Sequence, residues 1–284
     1  LMFLPGLAWE AQRALTHTVL VTTISAAAFY TALRLIRHQR TLYYVVFGAL
    51  LGLGALSKYN FMLFGAALVI MIAVGKQTRH ALRDRRALYV PALSALVAMP
   101  YYVWFLMNWE AATGSVKKLH CLASAGLLPG GTELFVALIS LLTPFWIFFG
   151  ACFYPAINVR QTFRSPEAGG LKLFHMYFAL ILGLLLTLMA IFNITSMKSR
   201  WLVPLFFVAP MYLFAFVEPQ RLSRKRRNGY LGIVITAALA VLLLIPLRVV
   251  FGPTFNYITH LNVPYAKLAG TLEVESLANA LILA

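Results

Sequence analysis

Two apolar runs, residues 43–56 and 61–74, are joined by only four residues, Ser57-Lys58-Tyr59-Asn60. As a helix, each fourteen-residue run would be about 21 Å long, short of the roughly 30 Å of a bilayer's hydrocarbon core. Joined as one helix, residues 43–74 would reach about 48 Å, too long for a single crossing. The flanks decide between these options. Arg34, Arg37 and Arg40 precede the segment, and Lys76, Arg79, Arg83, Arg85 and Arg86 follow it. Clustered Lys and Arg mark the cytoplasmic side of a membrane. Both ends therefore lie inside, and the segment is a hairpin with Lys58 at its tip. Short arms leave that tip near or below the outer surface. A polar turn at such a depth must be buried in protein or line a wet cavity. A charged side chain there points to a functional site.

The rest of the chain agrees with a membrane reading. It is 61% hydrophobic and 11% charged, with a mean hydropathy of +0.81. These values indicate an all-α polytopic membrane protein. The net charge of +16 could suggest a nucleic-acid partner. Its placement argues against one, because the basic residues sit in short loops between apolar spans. They serve as topology determinants and contacts for anionic lipid. Cys121 and Cys152 fall in a loop and in an apolar span, which is no disulfide framework.

Taken in order, the apolar spans are residues 14–33, the two hairpin arms, 87–107, 134–157, 173–194, 202–217 and 229–250, about eight in all. Residues 1–250 form the transmembrane domain and 251–284 an extracytoplasmic tail, expected to be a truncated small domain. The charge count supports this topology. Proposed inside loops hold 16 of the 24 Lys and Arg residues and three of the eight acids. Segments proposed as outside hold the other eight basic residues and five acids. Gly48 and Gly52 form a GxxxG pattern, which suits close helix packing in lipid. Trp104 and Trp109 suit the outer interface belt.

Four stretches bear a family resemblance in order: LPGLAWEAQRALTHTVL at 4–20, GLGALSKYNFMLF at 52–64, MPYYVWFLMNWE at 99–110 and MKSRWLVPLFF at 197–207. NVPYAKL at 262–268 adds a fifth near the end. Together they resemble the bacterial polytopic glycosyltransferases of the protein-mannosyltransferase and aminoarabinose-transferase superfamily. That resemblance implies a GT-C-like fold and transfer of a sugar from a polyprenyl-phosphate carrier to an extracytoplasmic lipid or protein acceptor. The expected location is the bacterial inner membrane, with the active face outside. No nucleotide sugar or cofactor is implied, and a divalent cation stays open.

A lipid-phosphate donor holds its negative charge at the membrane surface, so cations are needed at that level. Lys58, Lys198 and Arg200 fit as phosphate binders. Arg grips phosphate bidentately and Lys acts as a point charge. Such cations also stabilise the departing phosphate as its charge grows. Tyr59 could donate a hydrogen bond or stack on a sugar. Ser57, Asn60, His17 and Trp201 are candidates on the substrate side. The competing reading is that external Lys and Arg snorkel to headgroups and that His17 is structural.

Transfer also needs a base, usually a carboxylate. The resemblance implies an acid in an external loop upstream of Leu1, so no catalytic base is assigned among Glu10, Glu110, Glu133, Glu273 and Glu275. The family can also carry an acid near Thr18 as partner of the hairpin lysine, and here no acid is present. His120, Cys121 and Glu110 lack zinc spacing, so no metal is assigned. Two other classes compete with the enzyme: a lipid-phosphate binder or transporter without catalysis, and an inactive truncated remnant. A transporter predicts charges near mid-span and internal repeats, and neither is evident.

Overall fold

The computed structural model describes residues 17–110, 127–143, 145–158 and 168–251, together with Thr254. The described residues form helices α1 (His17–His38), α2 (Thr41–Ser57), α3 (Phe61–Val74) and α4 (Tyr89–Met107). These are followed by α5 (Leu127–Leu142), α6 (Phe145–Phe153), α7 (Ala168–Phe192), α8 (Ser199–Phe206), α9 (Ala209–Phe214) and α10 (Arg224–Phe251). Single-turn helices, His80–Arg83 and Arg85–Leu88, lie between α3 and α4. The tail at 255–284 lies outside the described residues.

A few contacts fix the directions of the first four helices. Arg34 donates to the Tyr43 hydroxyl at 3.1 Å, and Lys58 donates to the Thr18 hydroxyl at 2.9 Å. These lie at opposite ends of α1 and α2, so the two helices are antiparallel. The Phe61 ring lies over Gly54, and a Cβ on Gly65 would sit 3.4 Å from Leu51 Cδ2. This is the register of an antiparallel hairpin between α2 and α3. The Tyr44 hydroxyl then donates to the Ala81 carbonyl at 2.8 Å, which brings the two ends of the hairpin back together. The expected hairpin is therefore observed, with a basic end and a turn end.

Both ends of the hairpin are closed by hydrogen bonds. At the C-terminus of α3, buried Thr78 donates toward the Ile72 carbonyl at 2.9 Å, satisfying an acceptor that the helix itself leaves open. At the other end, Lys58 leaves α2 in an extended conformation while its N–H still bonds Gly54 O at 3.3 Å.

Helix α4 runs parallel to α2 along a glycine seam. A Cβ on Gly48 would lie 2.7 Å from Val90 O, and one on Gly52 would lie 2.7 Å from Val97 Cβ. No larger residue fits this approach without displacing backbone or a β-branched side chain, so the GxxxG pattern acts in packing. Helix α4 continues through Pro100. A buried aromatic group of Phe29, Phe64, Tyr177 and Phe207 ties α1, α3 and α7 to the segment just after α8. The fully buried Tyr177 donates its hydroxyl to Leu205 O at 2.6 Å. A second cluster stacks Phe145, Phe149 and Phe153 of α6 against Phe214 and Tyr230.

This is a multi-pass membrane architecture. Four described helices are long and apolar enough to cross a bilayer, at His17–His38, Arg85–Met107, Gly170–Phe192 and Arg224–Phe251. The pair Pro129–Leu142 and Phe145–Ala156, bent by 61°, makes a fifth if counted as one span. Helices α2 and α3 are shorter apolar helices. About eight spans were expected, and the region read as a span at 202–217 is broken. Helix α8 stops at Phe206 and α9 starts at Ala209 with Pro210 in its first turn. Proline cannot donate the N–H that would continue α8. The links at 156–158 and 216–218 pair instead through an isolated bridge, Ile157 with Val217. Glu218 N–H also donates to Ala156 O at 2.8 Å.

Candidate functional site

The turn end of the hairpin is where separate elements meet. Four positions at this end come from the tip itself. Ser57 donates to Gly54 O at 2.7 Å, which closes the last turn of α2 and occupies its hydroxyl proton. Lys58 is half-buried and reaches across to α1, where the buried Thr18 hydroxyl accepts its proton at 2.9 Å. Thr18 in turn carries α1 onward, its carbonyl accepting from Thr22 at 2.7 Å. Tyr59 is half exposed and accepts from the Tyr101 hydroxyl of α4 at 2.6 Å. Asn60 turns the other way, its amide donating to the Trp201 carbonyl of α8 at 2.6 Å.

That last bond joins the two turns that the sequence places on one face. Lys198 is the extended residue preceding α8, and its ammonium lies 5.9 Å from the centre of the Trp201 ring. This is a cation–π distance. Trp201 N–H closes the same turn on Lys198 O at 2.8 Å. Ser199 meets Ser140 of α5, hydroxyl to hydroxyl, at 3.0 Å. Lys58, Tyr59, Asn60, Lys198 and Trp201 are thus brought to one end of the bundle by direct contacts. Arg200 and His17 are exposed, and no hydrogen bond or ion pair joins either to another described residue. Ser57 is used as a cap rather than aimed at the site.

Tyr101 and Ser140 are site neighbours that sequence reading missed. Tyr101 had a signal: it lies eleven residues after Val90 and four after Val97, on the face of α4 that meets the glycine seam. Ser140 had none, since nothing in the sequence pairs it with residue 199. Among the described residues no group of three or more His, Cys, Asp or Glu is arranged to hold a metal ion. The His120-Cys121 stretch lies outside the described residues.

The hairpin turn at Lys58 falls inside a stretch with recognisable kin, and the turn at Lys198 lies beyond it. Residues 3–104 match the family model described as dolichyl-phosphate-mannose-protein mannosyltransferase. The resemblance seen in the sequence motifs is borne out. The matched residues include α1, α2, α3 and most of α4, the helices that set the position of Lys58. The chain is also similar to two lipopolysaccharide core galacturonosyltransferases of Rhizobium johnstonii. RgtB is 28% identical over 284 residues, covering 96% of this chain and 56% of the relative. RgtA is 26% identical over 280 residues, covering 95% of this chain and 54% of the relative. The chain therefore spans about half the length of the curated relatives it matches. No solved structure matches it.

Proposed function

We propose that this chain is the membrane-embedded part of a glycosyltransferase that takes a sugar from a polyprenyl-phosphate carrier. The acceptor lies at the extracytoplasmic face of a bacterial inner membrane. The observation that carries the reading is the joining of the two cation-bearing turns through Asn60 and the Trp201 carbonyl. It gathers Lys58 and Lys198 at one end of a short hairpin, where a lipid-held phosphate would sit, with Arg200 adjacent. In the reaction an acceptor hydroxyl oxygen bonds to the anomeric carbon of the sugar. The bond from that carbon to the phosphate oxygen breaks, and the phosphate leaves with the electron pair. The cations lower the barrier by meeting the charge that grows on that oxygen. The acceptor proton passes to a carboxylate base that is not assigned in this chain, and no cofactor is part of the proposal.

The names of the two relatives support, for this proposal, a galacturonosyl donor and a lipopolysaccharide core acceptor. The test is transfer by the intact protein in nanodiscs, using polyprenyl-phosphate-linked galacturonic acid and lipid A bearing its core. Transfer by wild type that collapses in Lys58→Ala is the expected result. Undiminished turnover and donor affinity in that variant would remove Lys58 from the phosphate site. Donor binding with no transfer by the intact protein would favour a lipid-phosphate binder instead.

A further inference from the structure

Helix α4 has two different long faces. Val90, Ser94 and Val97 pack on the glycines of α2, and the same face continues at Tyr101, Trp104 and Phe105 by helical spacing. Helix α2 ends at Ser57, opposite Tyr101. Past that point the α2-facing side of α4 loses its partner helix and becomes aromatic. Tyr101 stacks on Trp104 with centres 6.0 Å apart and 29° between planes, and lies 6.0 Å from Phe105. Phe105 meets Trp109 edge-on at 5.1 Å. The opposite face is Leu96, Met99, Val103, Leu106 and Met107, with Leu106 and Met107 76% and 79% exposed.

An interfacial belt would put the aromatic rings on the lipid-exposed face. Here the most exposed side chains of α4, Leu106 and Met107, are aliphatic, and the aromatic side meets the turn through Tyr101 and Tyr59. From Tyr101 to its end at Met107 the helix rises about 9 Å beyond that turn. The ladder offers two things together at its base: ring faces, and the bonded hydroxyls of Tyr59 and Tyr101. A pyranose has the same pairing of apolar C–H faces and hydroxyl edges, whereas an acyl chain has no use for the hydroxyls.

We propose that Tyr59, Tyr101, Trp104 and Phe105 form a stacking platform for the sugars of the acceptor, next to the donor-phosphate turn. This deepens the proposed glycosyl transfer and rests on it for the identity of the acceptor.

The test uses the intact protein in nanodiscs with the same donor, the same core-bearing lipid A, and core oligosaccharide freed of lipid as a binding probe. Trp104→Ala should raise the acceptor KM about tenfold and leave the donor KM within about twofold, with Trp104→Phe restoring most of the loss. Tyr101→Phe, which keeps the ring, should have a smaller effect in the same direction. An unchanged acceptor KM in Trp104→Ala, or a loss of thermal stability alone, overturns the platform. If wild type transfers nothing, the glycosyl-transfer reading fails separately, and oligosaccharide binding decides the platform. Weaker binding by Trp104→Ala than by wild type then supports it, and equal or absent binding by both overturns it.

Discussion

The two ends of the α2–α3 hairpin differ in how their cations are held. At the basic end, Arg86 is locked onto Asp84 at 2.6 Å while its guanidinium also lies 5.8 Å from the Tyr44 ring centre. Arg34 is likewise held between the rings of Tyr30 and Tyr43. Both salt bridges among the described residues, Arg86–Asp84 and Arg221–Glu218, lie in the basic loops. At the turn end, the contacts seen for Lys58 and Lys198 include neutral ones, a hydroxyl and an indole ring. One end carries most of the charge and uses it to hold loops. The other carries fewer basic residues, and a hydroxyl and an indole ring take part in orienting them.

Four substitutions test that contrast. Lys58→Ala should cut transfer by the intact protein about a hundredfold, the scale for removing one preorganised electrostatic donor. Initial-rate assays at saturating acceptor would show this, and a loss below about threefold would erase the distinction between the ends. Gly48→Leu should cost about 1–3 kcal/mol of stability, because its Cβ would meet backbone at Val90 that cannot rotate away. Thermal unfolding in nanodiscs reads this loss. Asn60→Ala leaves the Trp201 carbonyl without its 2.6 Å donor and uncouples the two turns. A roughly tenfold drop in transfer, with folding intact, is expected from donor-titration assays.

The smallest effect belongs to the basic end. Hydrogen bonds from the Arg86 side chain, and then from its backbone N–H, hold the Asp84 carboxyl down to about 2 from the ordinary 3.8. A depressed folded-state value makes the contribution complete above about 3.8 and loses it as pH falls through about 2. Limited proteolysis of the 76–88 loop should therefore quicken below that window. Asp84→Asn should flatten this dependence and leave transfer at neutral pH unchanged. A transfer defect in Asp84→Asn would show that the basic end takes part in the chemistry.

Much of this arrangement is legible in the sequence, because its causes are local. The hairpin follows from arm length and flanking charge, and the seam from Gly48 and Gly52. The contact between turns was anticipated only as a shared face. Asn60 finding the Trp201 carbonyl is a long-range backbone contact, and no side-chain pattern encodes it. The interrupted segment at 202–217 was read as continuous because hydropathy averages over Pro210. Tyr101 was hidden for a different reason. Its importance depends on where α2 stops relative to α4, which is a matter of three-dimensional register.

The glycine seam has a consequence for depth. Because Gly48 and Gly52 admit only one register against Val90, Ser94 and Val97, six residues of helix measure the distance from the seam to Lys58. The seam is the zero mark of a ruler, and the lysine sits at a fixed graduation on it. Adding one residue between Gly52 and Lys58 would move the ammonium about 1.5 Å along the axis and turn it about 100° from Thr18. Under the proposed donor-phosphate site, two missing side chains would thus keep the gauge of depth.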